Sequence, residues 1–118
     1  MNNDIKRAEK IFKALSDKNR LRILKILQRK QGACVCEIQY ILTIGQSATS
    51  KHLRILEEAG LIFPERRGKW TNYYFEKYDG KDLPQAVLTL LSSLLEDDSQ
   101  IREDMKRIQK VRREDLCV

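Results

Sequence analysis

Apolar residues near the N-terminus recur at three- and four-residue steps, so that Ile5, Ala8, Ile11, Phe12 and Leu15 fall on one face of an amphipathic helix over residues 4–15. Ser16-Asp17 offers side-chain oxygens to cap a second helix over 18–30. Its apolar positions are Leu21, Ile23, Leu24, Ile26 and Leu27, and Gln31-Gly32 closes it. A short third helix fits 35–42, with Ile38, Ile41 and Leu42 inward. Thr43-Ile44-Gly45 connects it tightly to a fourth over 46–59, which ends at Gly60, a residue type that accepts positive φ beyond a helix C-terminus at little cost. Two short helices joined by a turn containing glycine outline a helix-turn-helix.

The period then changes. Leu61 to Phe75 holds two β-rich runs separated by a basic turn with glycine, which predicts a hairpin. Asp82 can cap a last helical region, Pro84 suits its first turn, and Ala86 to Leu95 is apolar on nearly every side. Beyond Glu96-Asp97-Asp98 the apolar positions thin to Ile101, Met105, Ile108 and Val111 among charges. The pattern predicts a single, mainly α domain with one β-hairpin over residues 1–118, comprising a C-terminal helical region over 82–113 and a tail over 114–118.

Composition agrees with a helix-rich globular chain: 42% of the 118 residues are hydrophobic and 34% charged. No segment approaches the run of roughly 18 apolar residues that a membrane span needs, and the N-terminus lacks a signal-peptide core. Cytoplasm is therefore the expected location, with no membrane partner. The net charge of +6 is uneven, since residues 1–80 carry 16 basic against 9 acidic side chains and residues 81–118 carry 7 against 8. The basic part is the expected polyanion binder. Three cysteines, an odd number, in a reducing compartment argue against a disulfide framework and leave metal binding, redox chemistry or burial.

Along the fourth helix, "QSATSKHLRILEEAG", Ala48, Leu53, Leu56 and Ala59 are expected inward, while Ser47, Ser50, Lys51 and Arg54 share the outer face. Such a face suits a major groove, where hydroxyls read several base edges, Arg pairs with guanine, and an amide such as Gln46 pairs with adenine. Arg66, Arg67 and Lys69 cluster at the hairpin tip, within reach of a phosphate backbone or an adjacent minor groove. Lys18, Arg20, Arg22, Lys25, Arg29 and Lys30 add positive field, although an ordinary solvated helix face explains most of them. His52 is the only histidine; it suits a partly buried, hydrogen-bonding place near the DNA rather than a catalytic relay.

The runs "ALSDKNRLRILKIL", "CVCEI", "QSATSKHLRILEEAGL" and "RRGKWTNYYFE", in that order, resemble the ArsR/SmtB family of winged-helix metalloregulatory repressors, and specifically its arsenic-responsive ArsR branch, over roughly residues 5–90. The resemblance implies a homodimeric winged helix-turn-helix repressor of double-stranded operator DNA, not an enzyme. The fourth helix would be the reader, the hairpin the wing, and the first and last helices the dimer interface. The DNA-binding set is then Gln46, Ser47, Thr49, Ser50, Lys51, His52 and Arg54 on the reader, with Arg66, Arg67 and Lys69 on the wing. Two-fold symmetry would present two readers to successive major grooves about 34–36 Å apart and demand a roughly palindromic operator.

The stretch "GACVCEI" places Cys34 and Cys36 where the third helix begins. Wholly inside a regular helix they would point roughly 200° apart, because an α-helix turns about 100° per residue. At the first turn Cys34 can sit at or before the cap with Cys36 in the helix, and unpaired N–H groups there are expected to lower thiol pKa values. Thiolates bind soft metals and metalloids, so ligand capture would compete with the helix start. The arsenic-responsive branch usually carries a third cysteine three residues after the second; that position is Gln39, which leaves Cys117 as the remaining thiol that could complete a trigonal set for As(III) or Sb(III). Cadmium or lead are other possible inducers, and a cysteine redox or persulfide switch is a close rival. The family's zinc, nickel or cobalt site of Asp and His is not supported, because residues 82–113 contain no histidine. A small thiol-dependent enzyme is a remote alternative, since Cys-X-Cys is not the thioredoxin-like spacing and no βαβ pattern surrounds it. A winged helix that binds protein rather than DNA is a third class, distinguishable by the salt dependence of DNA binding.

Overall fold

The computed structural model describes residues 4–77 and 82–116. Helix α1 (Ile5–Leu15) starts where the Asp4 carboxylate accepts from Arg7 N, and α2 (Lys18–Arg29) starts where Asp17 accepts from the amides of Asn19 and Arg20. Strand β1 (Ala33–Cys34) leads directly into α3 (Val35–Leu42), followed by α4 (Gln46–Glu58), β2 (Ile62–Arg67) and β3 (Trp70–Phe75). The C-terminal part holds α5 (Leu83–Leu91), α6 (Ser99–Lys110) and α7 (Arg113–Leu116).

The core forms around α2. Its Ile23, Leu24, Ile26 and Leu27 are sealed against Ile38, Ile41 and Leu42 of α3, Leu53 and Leu56 of α4, Ile11 and Ala14 of α1, and Leu61 and Ile62. The α3–α4 turn needs a left-handed residue, and Thr43 takes that conformation at φ 55°. Gly60 closes α4 at φ 79°, with Leu61 N bonded to Leu56 O, the six-to-one bond of a Schellman cap.

β2 and β3 pair antiparallel in the expected hairpin, from Ile62 opposite Phe75 to Arg67 opposite Trp70. The two-residue β1 was not apparent in the sequence. It adds a third strand in the order β1-β3-β2, with Cys34 opposite Asn72. Gly32 makes this approach possible: it has φ +89°, and a Cβ there would meet the Tyr74 hydroxyl at 3.0 Å.

Three further differences concern packing. On α1 the buried residues are Ile11 and Ala14, whereas Ile5 and Phe12 stand 85% and 56% exposed. The cationic face of the second helix is solvated only in part, at Lys18 and Arg29. Lys25 is buried and donates to Leu91 O, Leu94 O and Glu96, satisfying carbonyls at the end of α5. Arg22 makes two 2.9 Å bonds to the fully buried Asp104 of α6, and Arg20 donates to the carbonyls of Ala14 and Lys13.

Finally, the helical region over 82–113 is divided. The chain turns at Leu95 in the left-handed region, Asp98 caps α6, and Arg113 begins α7, so the expected tail starts inside a helical turn. No helix among the described residues is long and apolar enough to cross a membrane.

Candidate nucleic-acid interface and thiol site

The outer face of α4 is rotated slightly from the expected one. Gln46, Ser47, Ala48, Lys51 and Arg54 are exposed and Ser50 is half-buried. Ala48 was expected inward, but Thr49 fills that place: it is fully buried and its hydroxyl donates to Gly45 O at 2.9 Å. That contact with the turn removes Thr49 from the surface that a duplex can reach.

His52 is mostly buried, with Nδ1 at 3.1 Å from Arg20 Nη1 and 3.9 Å from the Asp17 carboxylate. The cluster ties the start of α2 and the end of α1 to α4. Burial alone would raise the Asp17 carboxyl, but the Arg20 amide, the His52 and Arg20 charges and the Asn19 amide outweigh it and hold its pKa below the ordinary value.

Arg66, Arg67 and Lys69 are all exposed at the β2–β3 tip. Each also has a partner within the wing: Arg66 donates to Gly68 O, Arg67 pairs with Glu65 at 2.9 Å, and Lys69 Nζ lies 5.2 Å from the Trp70 ring. These are surface interactions that water weakens and a phosphate can displace.

At the thiol pair, Cys34 occupies the cap position with extended backbone, outside regular helix, and Cys36 is inside α3. The two side chains have different surroundings. Cys34 is a free thiol with 1% exposure. Cys36 is disulfide-bonded and lines a surface groove of about 400 Å³ with Gln39, Tyr40, Thr43, Ile44, Arg107 and Leu116. Gln39, at the third-thiol position of the arsenic-responsive pattern, therefore faces the same groove.

The expected lowering of the thiol pKa at this helix start does not hold for Cys34. Burial pushes it above its ordinary value and the adjacent Glu37 carboxylate adds to the rise, only partly offset by the hydrogen bond that the sulfur accepts from the Glu37 backbone N–H and by the Arg113 charge. The N–H that favours a thiolate here is that of Glu37, which the reciprocal cap aims at the Cys34 sulfur, while Cys34 N itself donates to Glu37 Oε1 at 3.0 Å. Glu37 itself is 1% exposed. Burial opposes its charge, but Lys30, the Cys34 amide and Arg113 prevail and hold its pKa below the ordinary carboxyl value.

Cys117 lies outside the described residues. Among the described residues no three His, Cys, Asp or Glu side chains are grouped to hold a metal ion. Among the described residues Cys34 is the free thiol and it is buried, so Cys36 would join it as a sulfur donor to a thiophilic ion only after its disulfide is reduced.

Sequence reasoning missed the polar group around Glu37. Cys34-X-X-Glu37 has the spacing of a capping box with sulfur in place of the usual hydroxyl, and that spacing was the available signal. Arg113, which donates to Glu37 Oε1 at 3.2 Å, gave none.

Residues 17–62 match the family model described as bacterial regulatory protein, arsR family. An uncharacterized HTH-type transcriptional regulator of Methanocaldococcus jannaschii, MJ1325, is 42% identical over 81 residues, covering 69% of this chain and 91% of that protein. The arsenic resistance transcriptional regulator ArsR1 of Pseudomonas putida is 33% identical over 86 residues, covering 73% of this chain but only 64% of its own length. The homodimeric winged helix-turn-helix DNA-binding domain of Mb0332 from Mycobacterium bovis superposes with a TM-score of 0.64 at 23% identity, covering 74% of this chain and 76% of that one. This last likeness supports the fold: mainly α, winged helix-turn-helix.

Proposed function

This chain belongs to the arsR family of bacterial transcriptional regulators, and from that premise we propose that it is a homodimeric cytoplasmic repressor of double-stranded operator DNA, released when As(III) or Sb(III) is captured by Cys34 and Cys36. The observation that carries this reading is the placement of two sulfurs across the first turn of α3, the helix joined to the reader α4 by the Thr43 turn. A ligand that grips both must draw Cys34 out of its β1 pairing or unwind the start of α3. Either move displaces the support of the reader. Arsenite capture is a ligand exchange without redox change: each thiol proton leaves with a hydroxide of As(OH)₃ as water, and an As–S bond replaces the As–O bond. Cys36 must be a thiol for this, and Cys117 is the proposed third sulfur.

On the DNA side, Gln46, Ser47, Ser50, Lys51 and Arg54 would enter the major groove, while Arg66, Arg67 and Lys69 contact phosphates. His52 would act from behind the reader, through Arg20 and Asp17. The exposed Ile5, Phe12 and Leu90 offer a second copy an apolar surface, in keeping with the homodimeric Mycobacterium bovis domain that shares this fold.

The test uses a duplex selected by the protein from a random-sequence library. Arsenite under reducing conditions should lower its affinity by about 5–150-fold, the usual range of allosteric couplings. Cys34→Ser/Cys36→Ser should abolish the response and Cys117→Ser should weaken it. The disulfide at Cys36 favours a second reading, a thiol-oxidation switch. Release by peroxide or polysulfide, with arsenite inert under reducing conditions, would select that reading over the first.

A further inference from the structure

Arg113 sits 76 residues beyond Glu37 in sequence, yet its guanidinium joins the thiol site to the wing. Nη1 donates to Asn72 Oδ1 at 3.0 Å on β3, and Nη2 donates to Gly32 O at 3.0 Å and to Glu37 Oε1 at 3.2 Å. Its Cζ lies 4.9 Å from the centroid of Trp70, the wing residue that also carries Lys69. The partners are in turn bound to the cysteine segment. Glu37 accepts from Cys34 N and pairs with Lys30, and Asn72 is the strand partner of Cys34. Arg113 is 20% exposed and Glu37 1%, so solvent screens their pairing little.

We propose that Arg113 is the positioning residue through which ligand capture at Cys34 and Cys36 reaches the wing, so that the inducer acts on the Arg66, Arg67 and Lys69 contacts as well as on the reader. The inference rests on the thiol-capture reading above. Glu37 is the third residue of α3, and distorting that first turn withdraws its carboxylate from the guanidinium. The fork then loses one of three acceptors, and its hold on Asn72 and its stacking on Trp70 loosen together. A lysine at 113 can reach one acceptor but supplies neither the planar fork nor the stacked face.

Trp70 is the only tryptophan in the chain, so its emission reports the wing directly. The probes are arsenite and, separately, mercuric chloride, added to reduced protein with ligation followed by loss of titratable thiol. In wild type either probe should shift Trp70 emission. In Arg113→Ala and Glu37→Gln the thiols should still react while the emission shift is lost, and Arg113→Lys should retain only part of it. Circular dichroism melting identifies which variants are folded. On the selected duplex, the arsenite effect should fall from about 5–150-fold to under about 3-fold in Arg113→Ala.

Wild-type emission that stays put while thiols are consumed, or an Arg113→Ala shift as large as that of wild type, overturns the pin. If Trp70 shifts only when Arg113 is present but arsenite leaves the DNA complex intact, the pin stands and the arsenite-release reading falls.

Discussion

At the residue scale, burial separates side chains that look alike in sequence. Thr49 and Lys51 both lie on the reader helix, but Thr49 is spent on Gly45 O and Lys51 faces solvent. Thr49→Ala should therefore lower unfolding stability by about 1 kcal/mol, read by urea titration, with unchanged dependence of DNA affinity on salt. Lys51→Ala should leave stability within about 0.5 kcal/mol and reduce the preference for the selected duplex over a scrambled one by about 1–3 kcal/mol, because a proposed major-groove contact is lost. Glu37 adds a pH dependence. Its carboxyl is held below the ordinary value of 4.5 in the folded chain, so its stabilising contribution is full above that pH and drains as pH falls through the lowered value. Melting curves of wild type and Glu37→Gln should differ most near neutral pH and converge in acid; a constant difference from pH 7 to 3 would contradict this.

At the scale of elements, α6 shows how a helix with a sparse apolar face is docked. Ile101 and Val111 at its ends are buried, and Asp104 between them meets Arg22 with two bonds in a site it shares with no solvent. Asp104→Ala removes the charged partner of a buried pair and leaves the Arg22 guanidinium only Asn19 and the Ile41 carbonyl, a loss of about 3 kcal/mol. The measurement is the unfolding midpoint, and a change within error would mean that Arg22 finds water instead. Lys25 does similar work one turn along α2, holding the end of α5 by its carbonyls.

At the scale of the whole molecule, most of the large apolar residues left in solvent among the described ones lie on α1 and around the end of α5. Ile5, Phe12, Leu90, Leu94 and Leu95 are there and Tyr40 of α3 stands apart, whereas the apolar side of α6 goes to its own chain. The expected dimer surface thus narrows to α1 and α5. In the proposed homodimer, Leu90→Glu should yield monomer by sedimentation velocity at micromolar concentration. DNA affinity should then fall by about 100-fold or more, since two linked readers bind with an advantage of that order over one.

What the sequence by itself determined was local. Hydrophobic period placed α1 to α4, Asp17 and Gly60 marked helix ends, and the switch of period at Leu61 marked the hairpin, because each of these depends on neighbours a few residues apart. Tertiary structure alone decided the rest. Whether Lys25 and Arg22 meet water and what surrounds Cys34 are settled by partners 66 to 82 residues away or by a strand only two residues long. Such contacts leave no periodic trace along the chain. Arg113 beside Glu37 is the extreme case, since a charge pair joins groups by proximity in space and nothing in the order of residues records it.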